Sequence, residues 1–266
     1  YHWRVVPDSV ARSGGKNGSV DESARNAIRS HFRRKGINAT VLPGSGFFHR
    51  VIYPLPADPP LVSVIVATRD HVDLIRQVAN GILHRTDYKP LELIIVDNQS
   101  SDPATMECLR ELQNDSRVRV IPYEAPFNFS AINNFAAGKI TGQILALVNN
   151  DIRMISSEWL KEMVSHAVRP EIGAVGAKLY YENETIQHAG IILGIGGVAG
   201  HAHKRLSRQS TGYFARAQII QNLSAVTGAC LVMRRQVYDE VGGLDEVNLP
   251  IAFNDVDLCL RIREKG

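Results

Sequence analysis

Leu145-Ala146-Leu147-Val148-Asn149-Asn150-Asp151 is an apolar run that ends abruptly in three short side chains bearing oxygen. A strand with no polar alternation is buried on both faces of a parallel sheet, and ligands of open α/β sheets bind outside the carboxyl ends of such strands. Asp151 is therefore expected where a hard cation and a phosphate meet. Leu93-Ile94-Ile95-Val96 repeats the arrangement upstream and delivers Asp97, Asn98, Gln99, Ser100, Ser101 and Asp102 to the same edge. Two acid-tipped strands on one rim point to a nucleotide site.

Around these two strands the pattern alternates. Leu61 to Ala67 reads as a strand, Val72 to Ile82 as a helix, Leu91 to Val96 as a strand and Pro103 to Leu112 as a helix. Val118 to Ile121, Ser130 to Ala137, Ile144 to Val148 and Trp159 to Val168 continue as strand, helix, strand and helix. Such a succession predicts a mostly parallel sheet. Farther on, Ile172 to Val175, Ile186 to Leu193 and Ser224 to Met233 read as strands broken by glycines. Upstream, the prolines of Pro54-Leu55-Pro56-Ala57-Asp58-Pro59-Pro60 mark a linker (54–60) between an N-terminal appendage (1–53) and the main domain (61–266). In the appendage, Arg12 to Ser23 reads as loop and Glu22 to Lys35 as helix.

Bulk properties narrow the function classes. The chain has 266 residues, of which 44% are hydrophobic and 21% charged, and no apolar stretch approaches a membrane span. A net charge of +3 is too mild to signal nucleic acid. Cys108, Cys230 and Cys259 are far apart and lack metal-type spacing, which suits reduced core residues of a cytoplasmic protein. The chain opens at Tyr1 without a charged-then-apolar leader and stops at Gly266 directly after a helical pattern, so it is expected to be part of a longer protein.

Chemistry follows from a few clusters. A magnesium or manganese ion held by one or two carboxylates can also grip two phosphates, which makes Asp151 the metal-ligand candidate. Asn149 and Asn150 add neutral oxygens for a ribose or for the ion's water shell, and Asp97 can accept a hydrogen bond from a base or ribose. Asn-Asn-Asp serves equally well as a cap or turn. Asp255 opens a second helix, where the macrodipole favours an ionised carboxylate suited to a general base, while Asp257 and Arg261 form an intrahelical pair at four-residue spacing. Gly228 in Thr227-Gly228-Ala229-Cys230 would let the backbone approach a sugar, with tight packing as the rival explanation, and Gly242-Gly243 ends the helix containing Tyr238. His188, His201 and His203 fall in a glycine-rich stretch without a ligand-spacing pattern and read first as a solvated loop, with contact to a metal or an acceptor as the other reading; His201 and His203 are kept as acceptor-site candidates.

Taken in order, Val62-Ser63-Val64-Ile65-Val66-Ala67-Thr68-Arg69-Asp70, Ile95-Val96-Asp97-Asn98-Gln99-Ser100, Asn149-Asn150-Asp151, Thr227-Gly228-Ala229, Gly242-Gly243-Leu244-Asp245-Glu246 and Asn254-Asp255-Val256-Asp257-Leu258 resemble a family 2 glycosyltransferase. The resemblance covers about Leu61 to Gly266. It implies an α/β chain of the GT-A (nucleotide-diphospho-sugar transferase) fold, a mostly parallel Rossmann-like sheet flanked by helices, with the appendage in front. It implies inverting transfer of a hexosyl or deoxyhexosyl group from a UDP- or dTDP-sugar to a hydroxyl. Thr68, Asp70, Asp97, Asn149 and Asn150 would hold the nucleotide, Asp151 the Mg or Mn ion, and Asp255 would be the base. Gly228, Asn254, His201 and His203 would face donor or acceptor sugars.

Two positions depart from the family pattern. Asn149 replaces the first acid of Asp-x-Asp, and Ile132 stands where many members carry an arginine before Asn133. Ala125-Pro126-Phe127-Asn128-Phe129-Ser130-Ala131-Ile132-Asn133-Asn134 and Gln187-His188-Ala189-Gly190 are similar to the subgroup that builds bacterial surface polysaccharides, including O-antigen and rhamnose-rich chains. That resemblance implies a glycan or lipid-linked glycan acceptor, further domains, and peripheral contact with the inner face of the plasma membrane. The alternative is a sugar-nucleotide or glycan binding module without catalysis. A nucleotidyltransferase ranks below both, because Thr68-Arg69-Asp70-His71 lacks a glycine-rich, lysine-bearing loop.

Overall fold

The computed structural model describes residues 19–266, which separate into two compact units. One contains the residues up to Pro54 together with Thr211–Gln221; the other contains Leu55–Ser210 and Asn222–Gly266. In the first unit, helix Ser19–Arg34 carries Asp21 and Glu22 in its first turn and His31, Arg33 and Arg34 in its last, matching the helix dipole at both ends. The helix therefore begins earlier than expected: Ser19 to Ser23 are helical, while residues 12–18 of the expected loop lie outside the described residues. A hairpin follows, β1 (Thr40–Pro43) against β2 (His49–Ile52), with Val41 buried.

In the second unit, β3 (Val62–Thr68), β4 (Leu91–Asp97), β5 (Val118–Pro122) and β6 (Ile144–Val148) are parallel neighbours. Val62, Val64, Val66, Leu93, Ile95, Ala146 and Val148 bury one face with residues of helices Val72–His84 and Trp159–Ala167. Ile65, Ile94, Val96, Leu145 and Leu147 bury the other against Ile132 and Ala136 of helix Phe129–Ala137 and Leu258 of helix Asn254–Glu264. Burial on both faces explains why these strands show no polar alternation. One polar residue within them, Ser63, is fully buried and satisfied: its hydroxyl donates to Glu92 and accepts from the Gly142 amide.

Beyond β6 the sheet turns antiparallel. β7 (Val175–Gly176), β8 (Leu179–Tyr180), β9 (Ile186–His188), β10 (Ile191–Leu193) and β11 (Ala199–His201) are short, and β12 (Cys230–Arg234) runs antiparallel to both β6 and β7. The sheet order is β5-β4-β3-β6-β12-β7, with β8–β9 and β10–β11 as separate ribbons. The late strands are thus shorter than the sequence pattern suggests. Of Ile172 to Val175 only Val175 is in a strand. Ile186 to Leu193 breaks at Gly190, whose φ of +104° turns the chain while the Leu223 side chain fills the space a Cβ would take. Ser224 to Ala229 does not extend β12, because the amides of Thr227, Gly228 and Ala229 bond to His188, Asp255 and the Thr227 hydroxyl instead of to a ladder.

Helix Arg235–Glu240 ends as expected at Gly242 and Gly243, with φ of +77° and +72°. All three cysteines are free and buried. Among the described residues, no helix is long and apolar enough to cross a membrane.

Candidate functional site

Parallel strands bring their carboxyl ends to one edge, and the loops leaving that edge build the site. Thr68 is paired with Asp97 across β3 and β4. Asp70 braces the two loops that follow: one carboxylate oxygen accepts the amides of Ser101 and Asp102 at 2.7 and 2.8 Å, and its own amide donates to the Ser100 hydroxyl at 2.8 Å. Those hydrogen bonds, the Asp102 amide foremost, hold the Asp70 carboxyl below its usual range. Asp97 accepts the Ser100 amide at 3.1 Å, and Asp102 caps helix Pro103–Leu112 by accepting from the Thr105 amide at 2.8 Å. Part of the hydrogen-bonding capacity of Asp70 and Asp97 is therefore spent on loop architecture.

A cavity of about 190 Å³ opens beside these loops. Thr68, Asn149 and Asn150 line it, together with Asn98, Phe127, Phe129, Ile132 and Asn133. Asn150 donates to the Thr68 hydroxyl at 3.3 Å. Asp70, Asp97, Asp151 and Asp255 are absent from the lining. Asn98 was missed as a site residue. It is 2% exposed, and its amide nitrogen donates to the carbonyls of Tyr123 (3.1 Å) and Ala125 (2.8 Å). Its Oδ1 is buried without a hydrogen-bond partner among the described residues, an unsatisfied acceptor beside the cavity that the residue lines. Strand parity held the signal: Ile94 and Val96 of β4 face helix Phe129–Ala137, and two residues on, Asn98 keeps that face while Asp97 falls on the other.

Asn149-Asn150-Asp151 forms a turn and caps no helix, since the next helix begins at Trp159. Asp151 is exposed. Among the described residues no three His, Cys, Asp or Glu side chains gather to hold a metal by themselves.

The late segment reaches this edge because β12 runs antiparallel to β6, which puts Cys230 opposite Val148. The Asn149 amide donates to the Ala229 carbonyl at 2.9 Å. One residue earlier, the Gly228 amide donates to Asp255 Oδ2 at 2.9 Å, and Asp255 Oδ1 accepts the Val256 amide at 2.8 Å. A Cβ on Gly228 would sit 3.5 Å from the Asp255 Cβ and 3.9 Å from the Phe129 ring, so glycine leaves room there. Asp97, Thr68, Asn150, Asn149, Ala229, Gly228 and Asp255 are thus linked along one edge by chain continuity, strand pairing and hydrogen bonds.

The remaining expected positions divide. Asn254 is 3% exposed and its amide nitrogen donates to the Ser130 hydroxyl and the carbonyls of Leu249 and Ile251, so it braces the loop before its helix and does not open towards a sugar. His201 is half-buried with Nδ1 2.8 Å from His188 Nδ1, and His203 has a buried Nδ1 without a partner among the described residues; neither side chain is fully solvated. Asp257 pairs with Arg261 as the spacing predicts, at 2.8 Å, and Arg261 also donates to the carbonyls of Val241 and Gly243. Asn134 completes that corner by accepting from Tyr238 (2.6 Å) and the Leu244 amide (2.9 Å).

The family profile described as glycosyl transferase family 2 matches residues 63–242. The chain belongs to that family. This family 2 domain is 46% identical over 269 aligned residues to the uncharacterized protein y4gI of Sinorhizobium fredii, covering all of the chain and 30% of that protein. It is 36% identical over 267 residues to the O-antigen biosynthesis protein RfbC of Myxococcus xanthus, covering 21% of it. The chain therefore spans less than a third of either relative. Its fold resembles a mannosyltransferase of Pyrobaculum calidifontis solved with GDP-Man and Mn2+ (17% identity, TM-score 0.59, 93% of this chain and 62% of that one). It also resembles GalNAc-T7 solved with UDP, GalNAc and Mn2+ (16% identity, TM-score 0.59, 78% of this chain and 40% of that one). The domain has the GT-A fold.

Proposed function

We propose that this domain transfers a sugar, with inversion, from a UDP- or dTDP-sugar to a hydroxyl of a growing bacterial surface glycan, free or lipid-linked. The observation that carries the reading is the Asn149–Ala229 and Gly228–Asp255 hydrogen-bond pair, which ties the Asn149-Asn150-Asp151 turn to the Asp255 carboxylate. Thr68, Asn98, Asn149 and Asn150 would hold the nucleoside in the amide-rich cavity, with Phe127 and Phe129 as its apolar walls. Asp255 would take the proton of the incoming hydroxyl. The oxygen attacks the anomeric carbon, and the bond to the diphosphate breaks on the opposite face, its electron pair leaving with the diphosphate.

One exposed carboxylate flanked by two amides fits a magnesium or manganese ion whose other ligands are phosphate oxygens and water, so Asp151 would hold it once the nucleotide is bound. Such an ion supplies charge stabilisation for the departing diphosphate. The O-antigen name of a relative supports the glycan assignment, and a lipid-linked acceptor would bring the protein to the inner face of the plasma membrane.

Calorimetric titration with UDP, dTDP and GDP, each with and without Mn2+, tests the donor half. Metal-assisted binding of a uridine or thymidine diphosphate, lost in Asp151→Ala, is expected. Metal-independent binding of all three, or of none, overturns the Asp151 role. Anomeric NMR of the product made by the full-length protein reads inversion directly, and a product retaining the donor's configuration overturns the single-displacement step.

A further inference from the structure

His188 takes no part in the chemistry above, yet it is 1% exposed and both its ring nitrogens are engaged. Its Nε2 lies 3.3 Å from the Gly190 amide and 3.4 Å from the Thr227 amide. A backbone N–H can only donate, so Nε2 presents its lone pair and the neutral ring carries its proton on Nδ1. That Nδ1 is 2.8 Å from His201 Nδ1, with the rings edge-on at 88°. The His188 N–H therefore donates to a lone pair on His201 Nδ1, and the proton of a neutral His201 is left on Nε2. Burial disfavours charging either ring: His188 is pushed down to about 3 and His201 is lowered as well.

The same backbone that orients His188 orients the proposed base. Thr227 gives its amide to His188 and Gly228 gives the next amide to Asp255. His201 is carried by β11, paired with Ile191 of β10, and Ile191 packs with Ala225, Val256 and Cys259 against the helix that Asp255 opens. His201 is thus joined to the Asp255 turn through His188, Thr227 and Gly228; burial and Lys204 disfavour its charged form and Asp255 opposes them.

Resting on the glycosyl-transfer reading, we propose that His188 is a positioning residue that locks His201 as an Nε2–H donor beside Asp255, and that His201 uses this donor to orient an oxygen of the acceptor sugar. In that state His201 cannot serve as a second base or as a metal ligand through Nδ1. A base and a fixed donor on adjacent supports would hold the attacking hydroxyl and a neighbouring oxygen in one register.

Long-range 1H–15N correlation of the imidazoles in the unliganded chain at pH 7 tests the lock without relying on turnover. Protonated Nδ1 and bare Nε2 are expected for His188, with the reverse for His201. A protonated His201 Nδ1, or averaging between tautomers, overturns the lock. Kinetics on the full-length protein, with whichever p-nitrophenyl glycoside it accepts, test the role. His188→Phe should raise acceptor KM about tenfold while kcat changes less than threefold, and His188→Asn, which keeps a donor and an acceptor, should recover part of the loss. An equal fall in kcat and kcat/KM, or no recovery with asparagine, marks a merely structural pair and overturns the positioning role. If the wild-type protein transfers no sugar to any glycoside or to its isolated glycan, the acceptor role falls with the transferase reading, and the NMR result still decides the lock.

Discussion

Replacing Asp255 with asparagine separates catalysis from architecture, because both carboxylate oxygens are in use. Oδ2 accepts the Gly228 amide at 2.9 Å and Oδ1 accepts the Val256 amide at 2.8 Å. Asparagine has one acceptor oxygen, so whichever way the amide is turned, its NH2 confronts one of these two N–H groups. Leaving one such donor unsatisfied costs about 1–3 kcal/mol. At roughly 2–4 °C per kcal/mol for a domain of this size, the melting temperature should fall by about 2–12 °C. Loss of a general base removes about 10²–10⁴ in rate. A variant that melts within this range, still binds UDP or dTDP with Mn2+, and transfers sugar at least 100-fold more slowly meets both expectations. The assay is nucleotide release by the full-length protein, alongside thermal denaturation of the same preparation. Transfer within threefold of wild type, with the stability loss intact, would refute the base assignment and leave Asp255 as a brace of the Gly228 turn.

Three other perturbations have definite expected outcomes. His188 stays neutral in the fold to about pH 3, whereas in the unfolded chain it charges near 6.5, so its contribution is complete above 6.5 and lost as pH falls. This is about 2 kcal/mol by pH 5; urea unfolding at pH 7 and pH 5 should show a smaller drop for His188→Asn than for wild type, and equal drops contradict the argument. Ile132 is fully buried on the core-facing side of helix Phe129–Ala137, so Ile132→Arg should cost about 3 kcal/mol or more, the scale of a buried unpaired charge. A variant of normal stability that binds UDP more tightly would show instead that the guanidinium reaches the cavity. Asn98→Ala strips the Tyr123 and Ala125 carbonyls of their donor, which should destabilise by about 2–4 kcal/mol and weaken UDP binding at least tenfold in calorimetry; unchanged affinity would remove Asn98 from the nucleoside wall.

The parallel half of the domain was legible because its strands are buried on two faces and its helices carry one apolar stripe each; Pro103–Leu112 and Ile144–Val148 lie where the pattern puts them. The half after Ala167 was not. Its strands are two to five residues long, and Thr227 and Gly228 give their amides to side chains far away in sequence, which no local period records. The same distinction runs through the site. Thr68, Asn149 and Asn150 follow from position at strand ends. Asn98 required the strand's parity to be carried past its last residue, and the roles of His188 and Asn254 depend in part on His201 and Ser130, 13 and 124 residues away.

Because β12 pairs with β6 from far along the chain, Cys230 lying opposite Val148, the two sides of the proposed site are synthesised at different times. Asp151 and Asp255 are 104 positions apart, which at ribosomal speeds corresponds to roughly 5–20 s. A nascent chain paused in that interval would already possess the amide-rich cavity and lack the carboxylate, so stalled-ribosome complexes ending between these residues should capture a nucleotide without consuming it.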